Sequence, residues 1–377
     1  MRYLVAPDKF KGSMSAAEAA EQIGQGIKDT VRGAELDLLP LSDGGEGLIE
    51  TLCGSGKGTF IETIVTGPLG KPVKAKWGIT NDSNKAVIEM AAASGLELVP
   101  VNKRNPALTT TYGTGQLIRA ALDHGCSDLI VGIGGSATND GGVGMAQALG
   151  ASFKDSRGDE IGCGGAELIR LSSIDLSNLD PRLKKVAARA ACDVNNPLTG
   201  SQGASQVYGP QKGADPETAL FLDRALTNLA AVVKKELQID LEQVSGGGAA
   251  GGLGAGLFAF LNAELTPGIE LVLDTLNFNK YLKGCHLVIT GEGSLDSQSL
   301  QGKTPVGVAR RAAACSVPVI ALAGRISGSL DLLHKAGITA CFAIADGPLS
   351  LEESMRKAPD LLRNKTAELM RFWLAGK

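Results

Sequence analysis

The stretch from Ser127 to Gly150, SDLIVGIGGSATNDGGVGMAQALG, limits most narrowly what this chain can become. Leu129 to Val131 is an apolar run of strand length. Gly132, Gly134 and Gly135 then let the backbone turn tightly, and Val143 to Leu149 resumes with helical apolar spacing. Strand, glycine loop and helix in that order predict an α/β unit whose helix begins near Asp140. The first N–H groups of a helix lack intrahelical partners and carry the positive end of its dipole, so a phosphate or carboxylate is favoured there. Ser136, Thr138, Asn139 and Asp140 add side-chain donors and acceptors. The competing reading is that the glycines only permit close packing of strand on helix.

The same order recurs along the chain. Tyr3 to Ala6 reads as a strand ending at Pro7, and Ser15 with Glu18 forms a capping box that opens a helix. Asp8, Lys9, Lys11 and Ser13 then fall on a loop at the carboxyl end of a strand, the edge where open α/β sheets bind ligands. An ordinary solvated charge cluster is the other reading of that loop. Glu35 to Leu41 is a second strand, running into Ser42-Asp43-Gly44-Gly45-Glu46-Gly47 and a helix through Leu52. Asp-Gly-Gly-x-Gly thus occurs at Asp43 to Gly47 and again at Asp140 to Gly144, two turns with one physical job.

From Thr59 to Leu98 the texture becomes period-two, with turns at Gly67-Pro68-Leu69-Gly70 and Asn81-Asp82, which predicts an antiparallel meander. Thr109 to Leu122 reads as a helix, with Thr110, Thr111 and Gly113 as candidates to line a site. Lys185 to Ala191 is a strand that delivers Asp193, Asn195 and Asn196 to a turn, and Lys212 follows in a loop suited to an anion. Glu217 to Leu237 is a long amphipathic helix, while the small residues of Gly246 to Gly256 favour close helix packing over binding. From Cys285 the α/β rhythm returns. HLVIT is a strand, Gly291-Glu292-Gly293 a turn, Pro305 to Ala314 a helix, PVIALAG a strand ending at Gly324-Arg325, and Thr339 to Ala345 another.

The N- and C-terminal segments are therefore expected to share one doubly wound sheet. Residues 1–58 and 283–377 form that domain and 59–282 an inserted mixed α/β domain, in line with a length of 377 residues and a prior of about 150 per domain. A formal charge of -3 and the lack of a basic run among aromatics exclude nucleic acid as a main partner. No stretch approaches the ~18 apolar residues of a membrane span, and the N-terminus does not read as a signal peptide. Seven cysteines without CxxC spacing point away from a disulfide framework or structural zinc and toward a reducing cytoplasm.

Asp8, Asp43, Glu46, Asp140, Asp193, Glu292 and Asp296 all fall after strands or at helix starts, a set that suits a divalent cation and one general base. Lys9, Lys11, Lys212, Lys303 and Arg325 occupy similar loops, where a cation stabilises transferring phosphate or holds a small carboxylate. Together they favour phosphoryl transfer over hydrolysis. Ser297 to Thr304 approaches a Walker A loop, with Ser297 in place of the first glycine, and the protein-kinase HRD and DFG loops are absent. Gly132-x-Gly134-x-x-Ala137 approaches the dinucleotide fingerprint, with Asp155 or Asp159 at the spacing of the ribose acid, which keeps a nicotinamide oxidoreductase open. His124, His286 and His334 form no metal or triad spacing and read as structural.

APDKFKGSMSA, PLSDGGEG at 40 to 47, IGGSATNDGGVGMAQALG, CDVNNPLTGSQGAS with YGPQKGA, and GEGSLDSQSLQGKTP run in family order from Ala6 to Pro305 and resemble the bacterial glycerate kinase type I family. The resemblance implies an ATP- and Mg2+-dependent kinase that converts D-glycerate to 2-phosphoglycerate, with 3-phosphoglycerate as the alternative product. It also implies a flavodoxin-like domain and an inserted restriction-endonuclease-like one. On this reading Asp193 is the base, with Asp43 and Glu292 as alternatives or, with Asp193, as magnesium ligands. Lys9, Lys11 or Arg325 would hold the glycerate carboxylate. The loop carrying Gly134, Gly135, Ser136, Thr138, Asn139, Asp140, Gly141 and Gly142 would cradle phosphate. Asp8, Ser13, Gly44, Gly45, Glu46, Asn196, Lys212, Glu292 and Lys303 complete the expected substrate-binding set. A small-anion-binding protein without catalysis is the competing class.

Overall fold

A computed structural model of the chain describes residues 1–81, 84–296 and 299–376. Asp82 of the Asn81-Asp82 turn and Ser297 and Gln298 of the Walker-like stretch lie outside these described residues. The chain divides into two compact units, Met1–Asp43 with Gly268–Lys377 (unit 1) and Gly44–Pro267 (unit 2).

Unit 1 begins with β1 (Arg2–Val5), α1 (Ala16–Lys28) and β2 (Glu35–Leu38). The capping box at Ser15 forms as the sequence predicts, with reciprocal bonds between Ser15 and Glu18, and α1 buries Ala19, Ala20, Ile23 and Ile27. Unit 2 then opens with α2 (Leu48–Cys53), β3 (Gly58–Thr66), β4 (Pro72–Thr80) and β5 (Lys85–Glu89). Helix α2 packs on β3, β4 and β5, which is why this unit begins at Gly44, earlier than residue 59. The meander is antiparallel as expected, but period-two structure stops at Glu89. The alanine-rich segment that follows forms α3 (Ala91–Ser94), in keeping with the helix propensity of alanine.

After α4 (Tyr112–Asp123) comes β6 (Asp128–Gly132), the strand of the Ser127 to Gly150 stretch, then α5 (Val143–Ala148) and the hairpin β7 (Ser152–Asp155) and β8 (Leu171–Asp175). The unit closes with β9 (Ala187–Ala191), α6 (Ala204–Tyr208), α7 (Pro216–Leu237), α8 (Ala249–Leu261) and β10 (Glu264–Thr266). Its main sheet has six strands in the order β10-β9-β6-β5-β4-β3, parallel from β10 to β5 and antiparallel beyond. Trp77, Ile88, Leu129, Phe153, Leu229 and Phe260 belong to the core beneath it. The glycine-rich start of α8 does pack closely. Gly251 sits at φ 70°, and a Cβ there would collide with the Thr138 carbonyl.

Unit 1 resumes with α9 (Gly268–Thr275), α10 (Asn279–Leu282), β11 (Leu287–Leu295) and α11 (Thr304–Ala313). It ends with β12 (Val319–Ile326), α12 (Leu330–Lys335), β13 (Ala340–Ala343) and α13 (Leu351–Ala375). Helices α9 and α10 pack on α11, so residues 268–282 belong here and not to the inserted unit. All neighbours in the five-stranded sheet, β13-β12-β11-β1-β2, are parallel. Counted by the unit's own strands this is the order 2-1-3-4-5, one of the two common doubly wound orders, whose switch point lies between the first and third strands, here β1 and β11. Ligands of such sheets sit outside the carboxyl ends of the strands at that point.

Gly291-Glu292-Gly293 is not the expected turn. These residues continue β11, with Gly291 opposite Leu322 and Glu292 opposite Ala323 in β12, because β12 also runs on to Ile326 and offers the matching ladder. The C-terminal α13 has no counterpart in the sequence reading. It packs on α1, where the Arg363 guanidinium donates to Asp29 at 2.7 Å. Among the described residues no helix is long and apolar enough to cross a membrane.

Candidate functional site

Unit 1 places carboxylates at its switch point. The N–H of Asp8, just past β1, donates to the Gly291 carbonyl at 2.8 Å and so fixes this loop against β11. Its side chain is buried and accepts from the Thr304 hydroxyl at 2.5 Å and from Lys9 N at 2.6 Å. Glu292 is buried beside it in the sheet order and accepts from the Ser299 hydroxyl at 2.7 Å. Burial pushes Asp8 up to about 6, with the charge of Asp43 adding and the Thr304 bond opposing. Burial likewise pushes Glu292 up to about 7, opposed by Ser299 and Lys303 and reinforced by Asp8 and Asp43. Asp8, Asp43 and Glu292 therefore share one negative field. Among the described residues, no group of three or more His, Cys, Asp or Glu is placed to hold a metal ion.

The remaining unit 1 candidates differ in their surroundings. Lys303 is half-buried at the N-terminus of α11, and its charge reaches Glu292. Lys9 is half-buried and Lys11 exposed on the Asp8 loop, while Arg325 is exposed near the end of β12. Ser13 is used by the fold, since its hydroxyl donates to the Met355 carbonyl at 2.6 Å in α13.

Unit 2 holds a cavity of about 300 Å³. Gly44, Gly45, Gly134, Gly135 and Ser136 line one part of it, so the two glycine loops meet there, with Gly44 against Gly132 and Gly45 against Gly134. Asp193, exposed just past β9, and Gln211 and Lys212 supply further polar lining. Lys212 is buried and donates from Nζ to the Thr138 carbonyl at 2.7 Å. Burial lowers it to about 7, and the charge of Asp140 opposes that shift. Asn196 does not line the cavity. It braces the nearby loop by accepting from the Tyr208 hydroxyl at 2.8 Å and donating to the Gln202 carbonyl.

Helix α5 starts at Val143 rather than near Asp140, because Gly141 and Gly142 at φ 63° and 75° hold the left-handed backbone that precedes it. Its N-terminus already has an anion. Asp140 is fully buried and accepts from Thr111 N at 2.7 Å, the Thr111 hydroxyl at 2.9 Å and Gly142 N at 3.2 Å. Burial still raises its proton affinity, against those bonds. Thr110 and Thr111 thus hold an internal carboxylate instead of lining the cavity, and Gly113 packs against the Thr66 carbonyl. Thr138 and Asn139 are buried outside the cavity lining, Asn139 donating to Ser205 at 2.9 Å.

The first Asp-Gly-Gly-x-Gly turn uses the same device with a distant acid. At the start of α2, Glu89 of β5 accepts from Gly47 N at 3.0 Å and Ile49 N at 3.1 Å. Glu46 is exposed on that turn. Asp155, one of the two residues at the ribose-acid spacing, is instead held by Arg170 at 2.7 Å and by the N–H of Arg157, and lies low at about 2 with the Arg170 bond as the main cause. Asp159, the other, is exposed and pairs with Arg157 at 3.6 Å, so neither acid is left to complete the dinucleotide fingerprint.

A model of the glycerate kinase family matches residues 3–374. The chain belongs to that family. A glycerate kinase of Bacillus subtilis (strain 168) is 50% identical over 98% of this chain and 97% of its own length. A glycerate 2-kinase of Escherichia coli (strain K12) is 50% identical over 96% of this chain and 94% of its own. A crystal structure from Salmonella typhimurium LT2, assigned there as a glycerate kinase 2, superposes with a TM-score of 0.90 at 47% identity and covers 100% of this chain and 99% of that one. As a glycerate kinase family member the chain is an enzyme of the kinase class, which decides against the oxidoreductase and the non-catalytic binding protein.

Sequence reasoning missed several residues that shape these sites. Ser299 and Thr304 orient Glu292 and Asp8, and Glu89 caps α2. Leu96, Ile133, Tyr208, Ala249 and Ala250 line the cavity. Thr304 carried a usable signal, a hydroxyl directly before Pro305 at a helix start. The apolar lining carried none, since such residues look like core until the chain is folded.

Proposed function

We propose that this chain transfers the γ-phosphoryl group of ATP to the 2-hydroxyl of D-glycerate and releases 2-phosphoglycerate and ADP. The observation that carries this reading is the 50% identity, over nearly the whole chain, to the Escherichia coli glycerate 2-kinase. The two sites supply suitable chemistry. Phosphoryl transfer needs little covalent help and depends on positioning and on compensation of charge.

We take the two units as the two domains and read unit 1 as flavodoxin-like, a reading supported by its all-parallel 2-1-3-4-5 order. The restriction-endonuclease-like reading of unit 2 rests on the family resemblance. Mg2+ suits the hard carboxylate oxygens of Asp43 and Glu292, with Asp8 beside them, and it takes one or two carboxylates together with phosphate oxygens. When bound, the ion neutralises charge on the transferring phosphoryl group. Asp193 takes the proton of the 2-hydroxyl as its oxygen bonds to phosphorus and the bond to the β-phosphate oxygen breaks. Lys212 and the Gly134-Gly135 backbone hold anionic oxygens, and Lys9, Lys11 and Arg325 grip the glycerate carboxylate. Seven free cysteines suit the reducing cytoplasm.

The test is to incubate the purified protein with D-glycerate, ATP and Mg2+ and to follow the product by phosphorus NMR beside authentic 2- and 3-phosphoglycerate. The expected signal is that of 2-phosphoglycerate. A 3-phosphoglycerate signal would overturn the regiochemistry, and no phosphoglycerate from folded protein would overturn the activity.

A further inference from the structure

The unit 2 cavity combines features that a three-carbon hydroxy acid does not use. Leu96, Ile133, Val194 and Tyr208 give it an apolar wall, and Lys212 sits buried in its lining. Every carbon of glycerate carries oxygen, so that wall gains nothing by covering it, whereas a flat heteroaromatic base gains from each apolar surface removed from water. At about 300 Å³ the cavity also lies at the lower edge of the range that holds larger small molecules, roughly 300–1,000 Å³.

Lys212 provides the second observation. An ammonium has three N–H donors, and among the described residues Lys212 makes one hydrogen bond, to the Thr138 carbonyl. A buried charge with unused donors is costly unless an anion completes it. Asp140 does not fill that role, because its oxygens are taken by Thr111 and Gly142 and it is outside the cavity lining. The glycine backbone at Gly134 and Gly135 lies in the same lining and allows close approach of a phosphate.

We propose that the unit 2 cavity is the nucleotide seat, with the base against Leu96, Ile133, Val194 and Tyr208 and a phosphate completing the bonds of Lys212. This rests on the kinase reading above and adds to it which substrate the cavity takes. Asp193, in the same lining, then stands beside the phosphate chain, where a base for the acceptor hydroxyl is needed.

The test uses the full chain and two kinds of variant. Val194→Trp, with Leu96→Trp as a second choice should the first fail to fold, fills the apolar part. Lys212→Met removes the cation, and Lys212→Arg restores charge. Calorimetry with ADP, tripolyphosphate and D-glycerate is run beside steady-state kinetics. The expected result is that either tryptophan weakens ADP binding and raises the ATP KM by about tenfold or more, with the glycerate KM unchanged. Lys212→Met should weaken both ADP and tripolyphosphate by about 10- to 100-fold, and Lys212→Arg should recover part of this.

A raised glycerate KM with unchanged ATP KM in the tryptophan variants would overturn the proposal and give the cavity to the acceptor. So would ADP affinity indifferent to both positions. If the wild type binds ADP through Lys212 yet phosphorylates no glycerate, the proposal stands and the kinase reading falls. If it phosphorylates glycerate while these variants bind ADP normally, the reverse holds.

Discussion

At the carboxyl edge of the unit 1 sheet, burial lifts Asp8 to about 6 and Glu292 to about 7, whereas in unit 2 burial lowers Lys212 to about 7. One cause acts with opposite sign because it penalises whichever form is charged. In unit 1 the acids also repel one another, and neutral hydroxyls from Thr304 and Ser299 hold them in place. In unit 2 a single ammonium is tied to one carbonyl. The first arrangement calls for a cation and the second for an anion, so each unit is suited to a ligand of the opposite charge from the other's.

The largest expected effect tests the unit 2 side. Asp193→Ala should lower kcat by about 10²- to 10⁴-fold, the contribution of a general base, measured as initial rates of phosphoglycerate formation. Nearly normal turnover would move the base to the carboxylates of unit 1 and erase this part of the contrast.

The pH dependence of Lys212 sharpens the comparison next. Lys212 shares its surroundings with Asp140 before α5, Cys192 and Asp193 after β9, and Tyr208 of α6. In ligand-free protein its charge is lost as pH rises through about 7, so ADP affinity should fall across that value, by about tenfold per pH unit at the steepest. Lys212→Met should flatten this limb. Stability moves the other way. The unfolded lysine titrates near 10.5 and the folded one near about 7, so the unfolded chain binds the extra proton between these values. The stability linked to neutral Lys212 is complete above the unfolded value and is lost as pH falls to about 7. Urea unfolding should show the stability of wild type rising relative to Lys212→Met as pH rises over that window, and no such relative rise would place Lys212 in contact with solvent.

Two further substitutions compare how each unit builds its helix starts. Gly251→Ala puts a Cβ against the Thr138 carbonyl on a left-handed backbone and should cost about 2–4 kcal/mol in urea unfolding. Ser15→Ala removes the capping box of α1 in unit 1 and should cost about 1 kcal/mol. Equal costs would mean that close packing around the second glycine loop is no tighter than an ordinary exposed cap.

These contrasts also show what could be read from sequence. The capping box of Ser15, the β6 strand, the antiparallel hairpin at Gly67 to Gly70 and the long α7 helix all depend on local residue chemistry, and they appear where local patterns predict them. Asp8, Glu292, Asp193 and Lys212 were legible as candidates because each is a charged residue just beyond a strand or inside a glycine-rich loop. What sequence missed depends on contacts distant in the chain. Gly291-Glu292-Gly293 looks like a turn until β12 offers a ladder, and Asp140 looks like a phosphate ligand until Thr111 occupies it. Glu89, forty residues from Ile49, gives no local sign that it caps α2.

A side-by-side comparison of Glu292→Gln and Lys212→Met tests most directly the proposed metal role of the unit 1 acids and the proposed nucleotide role of Lys212 in unit 2. ADP affinity is measured by calorimetry without metal, and the Mg2+ concentration for half-maximal turnover is measured in the same preparations. Lys212→Met should lose ADP affinity and keep the Mg2+ requirement of the wild type, while Glu292→Gln should keep metal-free ADP affinity and need more Mg2+. Both quantities changing together in both variants, or ADP affinity surviving the loss of Lys212, would contradict the account.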